Sequence, residues 1–322
     1  SFLGDTWTFY NGEWTAWTPS LSPSPRFGAA VAYDPLNDNV YLFGGCGVTC
    51  PLSDTWVYHQ AGPATVGTWT ELFPPISPPG VYFATLTFDP AVSGLVLFGG
   101  CEGGLGSCPA QETWTLTGSG TWNDLALAPS DSPPARFGAA ATFVPNSRLV
   151  LFGGMGSSGL LTDTWTYGVL TGVSASPVGL GPSAGPRVGW QAVVTVTTPP
   201  GRVFGTLAYV GANDALLLSG GCGSVGCPSL APWYYTLVTP KPPPPGQPPP
   251  PTTGPWFAVD RPPPWVWNGE PSPGYGTATV WDPEGGPNGF VLGVGGRDAT
   301  GETMTQSFEY AGTAWYGLDA VS

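Results

Sequence analysis

The chain has 322 residues and a formal net charge of −13, with only 9% of residues charged and eight cationic side chains in all. No basic patch is available to neutralise phosphates, so nucleic acids and anionic membrane surfaces are excluded as partners, and no run of about 18 apolar residues could span a bilayer. Gly (49) and Pro (40) are abundant, yet 15 Trp, 15 Phe and 12 Tyr speak for a packed strand-and-turn protein rather than a disordered one.

At the start, Ser1-Phe2-Leu3-Gly4-Asp5 lacks the basic start and apolar run of a signal peptide. Two short strands are predicted next, Asp5–Tyr10 and Glu13–Trp17, followed by the first full copy of a repeat. That copy opens with Pro25-Arg26-Phe27-Gly28-Ala29-Ala30-Val31-Ala32-Tyr33, turns at Asp34–Asn39, and continues as Val40-Tyr41-Leu42-Phe43-Gly44-Gly45. Asp54-Thr55-Trp56-Val57-Tyr58 and Thr68-Trp69-Thr70-Glu71-Leu72 complete it. The four segments read as strands a, b, c and d, separated by turn residues.

Gly-Gly marks the end of strand b five times, with first glycines at 44, 99, 153, 220 and 295, spaced by 55, 54, 67 and 75 residues. A period near 50 built from short strands indicates a β-propeller. Strand a is rich in small residues, as crowding near a central axis requires. Strand b is a continuous apolar run, such as Leu95-Val96-Leu97-Phe98, which implies burial on both faces. The tryptophans of strands c (Trp7, Trp56, Trp114, Trp165) and d (Trp14, Trp69, Trp122) are expected to pack between blades, with sugar stacking as the alternative.

The six cysteines fall in pairs after the first, second and fourth Gly-Gly: Cys46 and Cys50, Cys101 and Cys108, Cys222 and Cys227. Even count and local spacing predict three loop-closing disulfides, and hence an extracellular, oxidising location. The rival, a thiolate metal site, lacks a second ligand pair, and the sequence offers only His59 besides. No metal is expected.

Two insertions break the period, Gly172–Arg187 and the proline-rich 240–255, for which a stiff polyproline II stretch is expected. The proline-rich insertion reads as a surface loop between strands c and d, or as an arm that docks on a partner or carries glycans.

The order Gly-Gly, Asp-Thr-Trp-Val-Tyr, Thr-Trp, Pro-x-Arg-Phe-Gly resembles the kelch-repeat family, which includes the central domain of galactose oxidase. The resemblance is specific in repeats one to three. It weakens in repeat four, where Pro232-Trp233-Tyr234-Tyr235 replaces the Asp-Thr-Trp signature, and in repeat five, which ends on Ser307-Phe308-Glu309-Tyr310. It implies an all-β, kelch-type β-propeller of four-stranded antiparallel blades. The copper site of galactose oxidase, with two histidines, two tyrosines and a cross-linked cysteine, does not carry over to a chain with one histidine.

Five a–b pairs (27–45, 83–100, 137–154, 203–221 and 275–296) accompany six c–d pairs. The expected organisation is therefore one domain over 1–322: a half-blade at 1–22 and five blades at 23–78, 79–132, 133–199, 200–271 and 272–322, in a five- or six-bladed arrangement. The unpaired half-blade has three readings: a fragment of a longer chain, a cap or distortion of the ring, or a strand-pairing surface for another subunit.

Arg26, Arg136 and Arg202 precede strand a in three repeats and share one rim. They read as a binding site for a carboxylate or sulfated sugar, or as structural partners of Asp5, Asp54, Glu112 and Asp163. No catalytic set and no cofactor motif emerges: neither a Ser-His-Asp set nor a phosphate loop is present. The Arg rim is superficially similar to that of sialidases, whose Asp-box is missing here. The sequence thus points to a non-enzymatic extracellular scaffold, adhesion or assembly protein, polymerising or binding a protein partner through its half-blade. The alternative is a glycan-binding module or glycan-acting enzyme.

Overall fold

The computed structural model describes residues 2–10, 13–62, 65–90, 92–103, 108–144, 148–170, 188–211, 215–227, 232–236, 256–258, 274–282, 290–298, 300–304, 307–311 and 314–318. The expected polyproline arm at 240–255 and the insertion at 172–187 lie outside the described residues.

Strand follows strand through these residues, with a 3-10 turn at Pro129–Asp131. Strands β1 (Thr6–Tyr10) and β2 (Glu13–Trp17) form a two-stranded sheet by themselves. Blade 1 holds β3 (Ala30–Asp34), β4 (Asn39–Phe43), β5 (Thr55–His59) and β6 (Thr68–Leu72) in sequence order. Blade 2 holds β7 (Thr85–Asp89), β8 (Gly94–Phe98), β9 (Thr113–Thr117) and β10 (Trp122–Asp124).

Blade 3 pairs β11 (Ala140–Phe143) and β12 (Leu149–Phe152) with β15 (Thr164–Val169) and β16 (Val188–Val193). Its b–c loop carries a small hairpin, β13 (Met155–Gly156) with β14 (Gly159–Leu160), where repeats one, two and four carry a cysteine pair. Blade 4 is β17 (Arg202–Val210), β18 (Ala215–Gly223), β19 (Trp233–Thr236) and β20 (Trp256–Ala258). Blade 5 is β21 (Ala278–Asp282), β22 (Phe290–Val294), β23 (Ser307–Ala311) and β24 (Ala314–Leu318). Among the described residues there are thus five four-stranded antiparallel blades and one half-blade, the architecture of a β-propeller.

The chain divides into two compact units. One holds 1–138, 145–150 and 165–191; the other holds 139–144, 151–164 and 192–322. In the first unit the core is built from strand b of blade 2, where Leu95, Val96, Leu97 and Phe98 are all buried. In the second, Ala208, Val210, Leu217, Val291, Phe308 and Tyr310 form a cluster shared by blades 4 and 5. Within it the hydroxyls of Tyr234 and Tyr310 are hydrogen-bonded to each other. Burial, together with that bond, raises the pKa of Tyr310.

The paired glycines adopt positive φ at every copy, for example 65° and 95° at Gly44 and Gly45. Only glycine takes up this conformation without strain. Space is equally restrictive, because a Cβ on Gly44 or on Gly99 would overlap the carbonyl oxygen of Val81 or of Arg136 in the next repeat.

All three cysteine pairs are joined as expected: Cys46–Cys50, Cys101–Cys108 and Cys222–Cys227. Their sulfurs are therefore unavailable as thiolate ligands. Among the described residues no helix is long and apolar enough to cross a membrane.

Candidate functional site

The three rim arginines stand at one repeat position, immediately before strand a. Each turns its guanidinium back into its own repeat. The Arg26 Nη1 and Nη2 groups donate to Asp54 Oδ1 and Oδ2 at 2.6 and 2.7 Å, and Nη1 donates also to the Gly44 carbonyl at 2.8 Å. The Trp56 indole donates to Asp54 Oδ2 at 2.6 Å. Burial by itself raises the Asp54 pKa, but the bonds from Arg26 and Trp56 and the Arg26 charge outweigh it and hold the carboxyl below its ordinary range.

Arg136 and Arg202 are deeply buried, at 1% and 2% exposure. Arg136 Nε donates to Pro134 O at 2.9 Å, as Arg26 Nε does to Ser24 O. Arg202 Nη1 donates to the Gly220 carbonyl at 3.1 Å, and burial pushes its pKa down to about 10. Blades 2 and 5 place Val81 and Gly274 at this position. What all five residues can share is therefore the backbone. In four joints, the carbonyl here accepts the N–H of the preceding repeat's second glycine: Gly45 to Val81, Gly100 to Arg136, Gly154 to Arg202 and Gly221 to Gly274, at 2.8 to 3.2 Å.

A second repeated feature, not evident from the sequence alone, joins neighbouring blades through strand d. In blades 1 to 4 the indole of one d-strand tryptophan donates to the threonine that opens strand c one repeat earlier. Trp69 donates to Thr6, Trp122 to Thr55, Trp190 to Thr113 and Trp256 to Thr164, at 2.8 to 3.0 Å. The phenylalanine ending strand b of the earlier repeat packs on the same ring: Phe43 on Trp122, Phe98 on Trp190 and Phe152 on Trp256, with centroids 5.0 to 5.1 Å apart. The signal for this joint was the threonine of Asp-Thr-Trp, which precedes the tryptophan at 6, 55, 113 and 164 and is replaced by Pro232 in repeat four.

The half-blade makes this joint only in part. Trp69 bonds Thr6, and Trp69 is half-buried where Trp122 is 1% exposed. The uncovered area continues along blade 1. Val31 and Tyr33 are each 52% exposed, whereas the corresponding Leu86 and Phe88 of blade 2 are 7% and 6% exposed. Trp7 and Trp14 of the half-blade are exposed too, unlike Trp56 and Trp114. The packing role expected of these tryptophans thus holds for Trp56, Trp114 and Trp122, is partial for Trp69 and Trp165, and lapses at Trp7 and Trp14 of the half-blade.

No protein-family model matches the chain. It is similar to an F-box/kelch-repeat protein from Arabidopsis thaliana, at 32% identity over 183 residues, covering 51% of this chain and 36% of that protein. It is also similar to Adagio-like protein 3 from Oryza sativa subsp. japonica, at 32% over 157 residues, covering 46% of the chain and 23% of the relative. Adagio-like protein 1 from the same species is 29% identical over 194 residues, with coverages of 58% and 27%. The chain therefore spans between about a quarter and a third of the length of these curated relatives.

Proposed function

The chain is a kelch-repeat β-propeller, and from that premise we propose that it is a non-enzymatic, extracellular protein-binding scaffold of the adhesion or assembly type. It works as one propeller domain over residues 1–322. It engages its partner, another protein or a second copy, through the half-blade. The observation that carries this reading is the apolar face around Val31 and Tyr33 beside a two-stranded sheet with an unpaired strand edge. Exposed edges of this kind pair with strands of other chains. Three disulfides support an oxidising location.

The reading as a glycan-binding module or glycan-acting enzyme rests on Arg26, Arg136 and Arg202. A sugar carboxylate or sulfate reaching Arg26 has to displace Asp54 from a two-bond pair. A glycan array separates the two readings, since binding abolished by Arg26→Ala favours the sugar. For the scaffold reading the test is light scattering over a concentration series. Growth in mass that is lost in Tyr33→Lys is expected. A strictly monomeric chain at the highest concentration overturns self-association and leaves a heterologous protein as the partner.

A further inference from the structure

Repeat one shows what a rim arginine and a strand-c tryptophan do together. Arg26 Nη1 and Nη2 and the Trp56 indole N–H converge on one carboxylate, that of Asp54, and Arg26 Nη1 also reaches the Gly44 carbonyl. The place of that carboxylate opens on solvent, since the Asp54 side chain is 21% exposed while that of Arg26 is 5% exposed.

Repeat four keeps these donors and lacks their acceptor. Arg202 stands where Arg26 does, and its Nη1 donates to the carbonyl of Gly220, the counterpart of Gly44, at 3.1 Å. Trp233 stands where Trp56 does, because it is paired with Leu218 on strand b just as Trp56 is paired with Leu42. At the place of Asp54 the sequence has Ala231, whose side chain carries no oxygen. The Trp233 indole N–H is buried and has no hydrogen-bond partner among the described residues. A buried donor without an acceptor is destabilising. With a guanidinium 2% exposed at the same place, the fitting acceptor is an anion.

Repeat two shows that neither an acid nor a tryptophan suffices. Val81 replaces the arginine there and Glu112 replaces the aspartate. Glu112 accepts from the Gln111 N–H, and the Trp114 indole N–H has no partner among the described residues. A carboxylate one methylene longer does not reproduce the bond that Asp54 makes, and no arginine stands there to attract another.

We propose that Arg202 and Trp233 form a binding site for the aspartate side chain of a partner protein, which fills the place that Asp54 fills in repeat one. The inference takes from the scaffold reading only that the partner is a protein, and it owes nothing to the half-blade. The incoming carboxylate accepts from the Arg202 guanidinium and from the Trp233 indole, and a bond from a guanidinium to a carboxylate is of the strong, charge-assisted class. One methylene behind the carboxylate is the length that repeat one accommodates. That favours aspartate over glutamate, and over a sugar acid, whose carboxylate sits directly on the ring.

The probe is N-acetyl-aspartate amide, titrated into the intact 322-residue chain at fixed pH and ionic strength. The readout is the indole N–H resonance of Trp233, identified by its loss in Trp233→Phe. A saturable shift of that resonance is expected, with weaker binding of N-acetyl-glutamate amide and no shift from N-acetyl-asparagine amide. Arg202→Gln is expected to weaken binding at least about tenfold. Ala231→Asp supplies the carboxylate from the chain itself. It is expected to move the Trp233 resonance without any probe, to raise the melting temperature and to abolish the response to the probe. This variant adds an interaction, so the test stands even where Arg202→Gln does not fold.

Equal shifts from the aspartate and asparagine probes, or no shift from any carboxylate, overturn the proposal. So does an Ala231→Asp chain that responds to the probe as the wild type does. Tighter binding of glucuronate than of the aspartate probe overturns the protein source in favour of a sugar acid. None of these outcomes bears on association through the half-blade, which light scattering reads separately.

Discussion

Asp54 is a shared acceptor of the first repeat, because it accepts from both terminal Arg26 nitrogens and from the Trp56 indole. Asp54→Asn keeps the shape but loses the charge-assisted pair and leaves a guanidinium that is 5% exposed without its counter-charge. A loss of about 2–3 kcal/mol is expected, the usual scale for hydrogen bonds to charged groups and for broken, largely buried ion pairs. The sign with pH follows from the depressed carboxyl. A group whose folded pKa lies below its unfolded value of about 3.9 stabilises above that value, and this contribution disappears as pH falls through the folded pKa. Urea unfolding of wild type and Asp54→Asn should therefore differ at pH 7 and converge in acid. A constant difference across that range contradicts the pairing.

The joints between blades test the same logic at the level of strands. Trp122 has both halves of its joint, Phe43 above the ring and Thr55 at the indole N–H; Trp69 has only Thr6. Trp122→Ala empties a fully buried site and should cost about 3–5 kcal/mol, whereas Trp69→Ala should cost half of that or less, because its ring is already partly in water. Equal losses in chemical denaturation would mean that Trp69 is covered in solution. Much of this layer was legible in the sequence. Gly-Gly at a fixed period, apolar b strands and small residues in strand a reflect local backbone demands, and such demands leave residue-level marks. Local cysteine spacing announced the three disulfides for the same reason. The acceptor role of Thr55 was not legible, because its donor lies 67 residues away and threonine is common in any strand. The backbone role of the arginine position was hidden too, since a carbonyl leaves no signature, and only Val81 and Gly274 at that place hinted at it. The count of five a–b pairs against six c–d pairs was readable, but not which side chains it leaves uncovered.

For the whole molecule the charge balance decides how any assembly responds to solvent. A net charge of −13 on a 322-residue chain makes two copies, or a copy and an acidic partner, repel at neutral pH. The uncovered face of blade 1 beside the half-blade offers the opposite kind of interaction: strand-edge backbone hydrogen bonds and the apolar side chains of Val31 and Tyr33. Salt screens the repulsion between exposed charges, with a Debye length of about 10 Å at 0.1 M shrinking to about 3 Å at 1 M, and leaves apolar contact intact. Association through the half-blade should therefore strengthen as salt rises, and strengthen again as pH drops toward the sequence pI near 4.1, where net charge vanishes. Acid then imposes its own limit, because the Asp54 contribution to the fold is lost below the carboxylate range. Sedimentation at low and high salt, each at pH 7 and pH 5, distinguishes this from binding through the arginine rim. A contact made by Arg26 with an anionic partner weakens with salt, and a fall in association on adding salt would move the interaction from the half-blade to that rim.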